Sequence, residues 1–180
     1  MNRAELEHAI RATCDLAEET EVIVFGSQAI LGEFPDAPEE LRQSAEADIS
    51  PKHEIDKVDL IDAILGQDSL FHRQHGFYVH GVPIREAATL PPGWESRAIK
   101  VQNKNTREFI GWCIEAHDLA VSKLTAHRDK DLDFVRTLLA EEMITPRKLI
   151  ARIRRLPGND KSKQRLVVWV GKTVRELTKR

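Results

Sequence analysis

The stretch 22-VIVFGSQAI-30 decides how the chain is interpreted, because four apolar residues run directly into a glycine and a serine. Short, β-branched runs of this kind predict a buried strand, here from residue 21 to residue 25. The turn after the strand has two interpretations. It is either an ordinary turn, or one whose backbone N–H groups and serine hydroxyl hold a phosphate. The second interpretation predicts carboxylates a short distance downstream.

Two carboxylates do follow, in the segment 42-RQSAEADIS-50, where Glu46 and Asp48 are separated by one residue. On a strand, alternate side chains project from the same face, so these two would lie side by side. Like charges held that close repel each other unless water or a cation neutralises them. Mg²⁺ is usually bound by one or two carboxylates together with substrate phosphates. The pair is therefore either a metal site or a solvated strand edge.

The remaining periodicity predicts an α+β (mixed α/β) fold. We expect further strands at 46–50, 77–82, 97–102 and 109–114, and helices at 3–19, 54–66, 117–128 and 130–142. Two more helical stretches, interrupted at 157-PGN-159, end the chain. We therefore expect a body at residues 1–142 and a basic helical C-terminal extension at 143–180.

Composition is that of an ordinary globular protein, with 41% hydrophobic and 31% charged residues among 180. The two cysteines, Cys14 and Cys113, are far apart and form no CxxC pair, which suits a reducing cytoplasm. The first nineteen residues are too charged for a secretory signal, and no apolar run approaches membrane-spanning length. We expect a cytoplasmic protein without a membrane partner.

Charge is distributed unevenly along the chain. Residues 145–180 contain twelve Lys or Arg against two acidic residues, whereas the preceding 144 residues contain fifteen basic and twenty-seven acidic ones. This asymmetry predicts either a basic appendage that meets a polyanion such as RNA, or a basic helix docked on its own acidic body. A plain RNA-binding module is disfavoured, because Trp169 is the only aromatic residue in the basic part.

At these motifs the chain resembles the nucleotidyltransferase superfamily, whose pattern is a hydrophobic residue, Gly-[Gly/Ser], a spacer and [Asp/Glu]-x-[Asp/Glu]. More narrowly, it resembles the small bacterial nucleotidyltransferases of the DUF6036 type, relatives of the AbiEii toxins. The resemblance covers roughly residues 20–140 and rests on four segments: 24-VFGSQAILG-32, 46-EADISP-51, 89-TLPPGW-94 and 117-HDLAVSKLTAHRDKD-131.

The resemblance implies a mixed sheet with flanking helices and transfer of a nucleotide from an NTP to an acceptor at a two-metal site. It implies that Gly26 and Ser27 hold the triphosphate and that Glu46 and Asp48 bind Mg²⁺. It also implies that Lys123, on the helix after the sheet, reaches the triphosphate. The alternative for Lys123 is an exposed polar row on that helix.

The chain departs from the family pattern at the third carboxylate, which active members usually carry on a later strand. His80 stands in the middle of the strand at 77–82, and Glu86 and Glu115 are the other candidates for the general base. The sequence does not assign the general base to one of these three residues. We interpret His72 and His75 as loop residues.

Two hypotheses follow. The chain is an active nucleotidyltransferase, with an NTP substrate, an acceptor such as RNA and, in a toxin–antitoxin or defence pair, an antitoxin partner. Alternatively, it is a catalytically degenerate member that binds nucleotide, RNA or a partner protein without turnover.

Overall fold

The computed structural model describes residues 1–179 and confirms the mixed α/β class. The strands are β1 (Glu21–Phe25), β2 (Glu46–Pro51), β3 (Tyr78–Gly81), β4 (Ile99–Val101) and β5 (Ile110–Cys113). The α-helices are α1 (Arg3–Ala17), α2 (Ile30–Glu33), α3 (Val58–Leu65), α4 (Leu70–His75), α5 (Ile84–Ala87), α6 (Ala116–Ala126), α7 (Asp129–Ala140), α8 (Pro146–Arg154) and α9 (Asp160–Leu177).

The five strands form a mixed sheet in the order β3-β2-β1-β5-β4. β1 is central, antiparallel to β2 and parallel to β5. β3 runs parallel to β2, and β4 runs antiparallel to β5. The two motif-bearing strands, β1 and β2, are therefore direct neighbours, and β3 lies on the other side of β2.

One face of this sheet is covered by α1. Val22 pairs with Gly111 across β1 and β5, and a β-carbon added to Gly111 would lie 2.8 Å from Cγ1 of Ile10 in α1. Val22, Val24 and Ile10 are fully buried there. α1 begins with a capping box, in which Asn2 accepts from the backbone of Glu5 and the Glu5 carboxylate accepts from the backbone of Asn2.

The prediction that His72 and His75 lie in a loop is wrong, because both residues belong to α4. The hydroxyl of Ser69 accepts from His72 N and caps the helix start, while Gly76 ends it in the left-handed conformation at φ 76°. His72 and His75 are thus helical. Six residues were too short a run for their periodicity to be recognised.

The chain forms two compact units. The first holds Met1–Ala88 and Arg97–Glu115, and therefore the whole sheet; the second holds Thr89–Ser96 and the helical part from Ala116 onward. The expected division into a body at residues 1–142 and a basic helical C-terminal extension at 143–180 stays a prediction.

Within the second unit, α8 contacts both α6 and α9. Thr145, just before α8, donates its backbone N–H to Nε2 of His117 in α6 at 3.0 Å. Arg152 of α8 forms an ion pair of 3.3 Å with Asp118 of α6, whose side chain is completely buried. The predicted break at 157–159 is confirmed, since α8 ends before it and Asn159 caps α9.

Among residues 1–179, no helix combines the length and the apolar character that a bilayer span requires.

Candidate active site

The candidate site lies on the sheet face opposite Val22 and Val24, where β2 and β3 run side by side. Glu46 stands in register with Tyr78, and Asp48 stands in register with His80. Because both pairs are two residues apart on their strands, all four side chains project from the same face. The parallel pairing thus places a tyrosine and a histidine beside the predicted carboxylates.

Glu46 is held by Tyr78. The tyrosine hydroxyl donates to Oε2 of Glu46 at 2.7 Å. Burial, this hydrogen bond and the negative charge of Glu46 together raise the pKa of Tyr78 to about 12. Tyr78 is therefore a neutral donor throughout the physiological pH range, and it leaves the second oxygen of Glu46 available to another partner. At the start of β2, the Ser44 hydroxyl accepts from the backbone N–H of Glu46 at 3.1 Å.

Asp48 is paired with His80. Nδ1 of His80 lies 3.1 Å from Oδ1 of Asp48, and the two side chains are 43% and 21% exposed. Ligand atoms of Glu46, Asp48 and His80 all lie within 4.8 Å of one another. Solvent reaches the group, so a small ion can reach it as well.

Gly26, which follows β1, packs against this group on the side of Asp48. Phe25, the last residue of β1, pairs with Asp48 in the sheet. The backbone of Gly26 has φ 64° and ψ −168°, a conformation that essentially only glycine adopts. A β-carbon on Gly26 would lie 2.7 Å from Cγ of Asp48. The absence of a side chain at residue 26 is what allows the turn to approach the carboxylate.

Ser27 follows directly and begins a short 3₁₀ helix, Ser27–Ala29. Four of the five residues predicted for the site, Gly26, Ser27, Glu46 and Asp48, thus belong to two adjacent strand ends of the first unit.

The fifth, Lys123, belongs to the second unit. It is not part of an exposed row on α6, because it is only 9% exposed. Its Nζ lies 3.1 Å from Oδ1 of Asp131 and 5.2 Å from the centre of the Phe134 ring. α6 ends at Ala126, and His127 has φ 56°, so a turn rather than a continuous helix brings Asp131 back to the lysine.

Of the three candidates for the missing carboxylate position, His80 is the one that lies with Glu46 and Asp48. Glu86 is exposed on α5, and Glu115 is buried two residues after the end of β5. Among residues 1–179, the group at this place that could hold a metal ion consists of two carboxylates and one imidazole.

Tyr78 was missed in the sequence, although a signal for it exists. The spacing Tyr-x-His on β3 repeats the spacing Glu-x-Asp on β2. Two strands with polar residues at matching alternate positions are expected to face one another if they pair.

The donor set fits a divalent cation. Two carboxylates that share one strand face repel each other, and a cation between them removes that repulsion. Carboxylate oxygens suit Mg²⁺ and Mn²⁺, and imidazole nitrogen suits transition ions. The glycine turn packs directly against Asp48, so its backbone lies beside one of the carboxylates that would hold the ion.

Comparison with protein families agrees with this arrangement. Residues 4–166 match the family model described as "Nucleotidyltransferase of unknown function (DUF6036)". Among curated proteins and among solved structures, no significant match to the chain was found. Since the match spans most of the 180 residues and includes both strand-end motifs, the chain belongs to the DUF6036 family of nucleotidyltransferases.

Proposed function

We propose that the protein transfers a nucleotide from an NTP to an acceptor hydroxyl in a metal-dependent reaction at the Gly26–Asp48 site. The observation that carries the proposal is the convergence of the glycine turn, the carboxylate pair and His80 on one accessible sheet face. In the reaction, the acceptor hydroxyl gives its proton to a base or to water and its oxygen forms a bond to the α-phosphorus of the NTP. The bond from that phosphorus to the β-phosphate oxygen breaks, and pyrophosphate leaves.

Glu46 and Asp48 would hold the divalent cation, for which the resemblance implies Mg²⁺ in a two-metal site. When bound, such ions neutralise the phosphate charge and align the attacking and leaving oxygens. Tyr78 orients Glu46 by holding one of its oxygens. The turn at Gly26 and Ser27 binds the triphosphate through backbone N–H groups and the serine hydroxyl.

Lys123 has a structural partner in Asp131, and a role at the triphosphate stays part of the proposal. The two roles predict different results for a matched pair of variants. If Lys123 is structural only, Lys123→Met and Asp131→Asn lower stability alike and leave the NTP affinity of the folded protein unchanged. If Lys123 binds the triphosphate, Lys123→Met raises the dissociation constant for NTP and Asp131→Asn does not.

RNA is the acceptor class that the charge distribution favours. Most basic side chains of α8 and α9 are exposed, including Arg147, Arg154, Arg155, Lys161 and Arg165. An exposed cluster of arginine and lysine binds a phosphate backbone by releasing its counterions.

We extend the proposal to a cytoplasmic toxin-like enzyme that is related to the AbiEii toxins and is neutralised by a partner antitoxin. Co-purification of the protein with the product of an adjacent gene would test this extension.

A second function has one specific observation in its favour. The place where active relatives are expected to carry a third carboxylate holds His80. This supports a degenerate member that binds nucleotide or RNA without turnover.

Incubation of the protein with each of four α-labelled NTPs, total RNA and either Mg²⁺ or Mn²⁺ separates the two functions. Metal-dependent incorporation of label into RNA, lost in Asp48→Asn, supports the transferase. Tight NTP or RNA binding without incorporation supports the degenerate member.

A further inference from the structure

We propose that His80 is itself a metal ligand and that it makes the site bind Mn²⁺ in preference to Mg²⁺. This inference rests on the proposed function, because it concerns the ion held by the same carboxylate pair. It goes further by assigning a third ligand and the class of metal that the site selects.

The position of His80 is the first argument. The residue is in register with Asp48 on the neighbouring strand, and Nδ1 of His80 lies 3.1 Å from Oδ1 of Asp48. Two ligand atoms at right angles around one ion, each about 2.1 Å from it, are about 3 Å apart. The distance between Nδ1 of His80 and Oδ1 of Asp48 is that of a hydrogen bond when no metal is bound. The same distance also fits two adjacent ligand atoms of one octahedral ion.

The exposure of His80 is the second argument. Its side chain is 43% exposed, so its contact with Asp48 is screened by water. A polar contact between side chains as exposed as these contributes at most about 1 kcal/mol to stability. Such a small gain in stability does not explain why a histidine lies on the polar sheet face between a carboxylate and solvent. A metal ligand, in contrast, must be accessible to an ion that arrives from solvent.

The chemistry of the donor set is the third argument. Mg²⁺ favours oxygen ligands in a near-ideal octahedron. Mn²⁺ also binds carboxylate oxygens, but as a first-row transition ion it accepts an imidazole nitrogen more readily than Mg²⁺ does. The imidazole donor therefore shifts the preference of this site from Mg²⁺ toward Mn²⁺.

The experiment measures metal binding by the full chain without nucleotide. Protein freed of metal with a chelator is titrated with Mn²⁺, and free Mn²⁺ is followed by its electron paramagnetic resonance signal. Mg²⁺ is then added as competitor. The variants are His80→Ala, His80→Asp and, as matched control, His53→Ala, which changes an exposed histidine of the same unit outside the site.

We expect the wild type and His53→Ala to retain Mn²⁺ against equimolar Mg²⁺. His80→Ala weakens Mn²⁺ binding about 10-fold or more, the size of effect seen when even an outer-shell partner of a metal site is lost. His80→Asp restores an all-oxygen site, so Mg²⁺ displaces Mn²⁺ from it more readily than from the wild type. A thermal melt of each variant confirms that the compared proteins are folded.

The inference is overturned if His80→Ala binds Mn²⁺ as tightly as the wild type, or if equimolar Mg²⁺ displaces Mn²⁺ from the wild type. Nucleotide transfer that persists in His80→Ala with Mg²⁺ would leave the proposed function standing while refuting the role of His80. Conversely, His80-dependent Mn²⁺ binding in a protein that transfers no nucleotide would support this inference and contradict the proposed function.

Discussion

Gly26 and Asp48 approach each other so closely that a β-carbon on the glycine would lie 2.7 Å from Cγ of the aspartate. Real β-carbons essentially never come within 3.0 Å of another heavy atom in this way. The backbone of Gly26, at φ 64°, independently disfavours a side chain. The glycine turn and the carboxylate strand are thus one packed feature rather than two separate motifs.

Gly26→Ala is therefore expected to displace Asp48 and weaken metal binding, in addition to straining the backbone. Gly76→Ala is the matched control, because Gly76 also has positive φ, at 76°, but has no atom within 4 Å of an added β-carbon. The control should lose only about 1 kcal/mol of unfolding free energy, the cost of a left-handed side-chain residue. Denaturant unfolding and Mn²⁺ titration of both variants measure the difference. Equal losses in stability and unchanged metal binding in both would reduce Gly26 to an ordinary turn residue.

Tyr78→Phe tests whether the tyrosine positions Glu46. The variant removes the 2.7 Å hydrogen bond to Oε2 and keeps the ring. We expect metal affinity to fall about 10-fold, as is typical for loss of an outer-shell partner, with the melting temperature nearly unchanged. Isothermal titration with Mn²⁺ provides the measurement. A fall in melting temperature with unchanged metal affinity would show that Tyr78 only packs.

The backbone of the site could be predicted from the sequence, because the features involved are local. An apolar run before Gly26 and the alternation of Glu46 and Asp48 are visible within a few residues. Both strands, β1 and β2, were placed correctly on that basis.

The position of His80 beside Asp48 could not be predicted, since it depends on which strands pair. Its place beside Asp48 follows from the parallel pairing of β3 with β2. Strands separated by two helices, α3 and α4, have no local signal for their order or register. Lys123 gives a second example. Its burial against Asp131 depends on a chain reversal at His127, which helical spacing alone did not reveal.

Neighbouring arginines of the C-terminal helices are expected to behave differently. Arg152→Gln removes the ion pair to the buried Asp118 carboxylate, so we expect a loss of about 3 kcal/mol in unfolding free energy. Arg154 and Arg155 are exposed, and changing both to Glu should leave stability nearly unaltered. If RNA binds here, the double variant weakens RNA affinity and flattens its dependence on salt. A salt titration of RNA binding, together with thermal melts, distinguishes an RNA-binding role of these arginines from a structural one. Lower stability of the double variant without any change in RNA affinity would indicate a structural helix.

Acid should destabilise the protein through Asp131. Burial raises the pKa of this carboxyl, but hydrogen bonding to Arg128 and the charge of Lys123 outweigh that effect and hold the pKa below its ordinary value of 3.8. The Asp131 carboxylate of the unfolded chain then binds a proton more tightly than that of the folded protein. The stabilisation that Asp131 provides is therefore fully present above pH 3.8, and it is lost as the pH falls through the lower pKa of the folded state. Asp131→Asn should lower stability at pH 7, and the difference from wild type should shrink below pH 3.8. Urea unfolding across this range tests it, and a pH-independent difference would contradict the assignment.

Glu46→Gln and Asp48→Asn test the central claim, that this strand pair is the metal-dependent centre of a nucleotidyltransferase. Each variant keeps the shape of its side chain and removes one of two repelling charges, so we expect the fold to be retained. The decisive measurement is incorporation of label from α-labelled NTP into RNA with Mn²⁺ or Mg²⁺. We expect metal-dependent incorporation by the wild type and a loss of about 100-fold or more in each variant. Undiminished, metal-dependent incorporation by both folded variants would contradict this assignment.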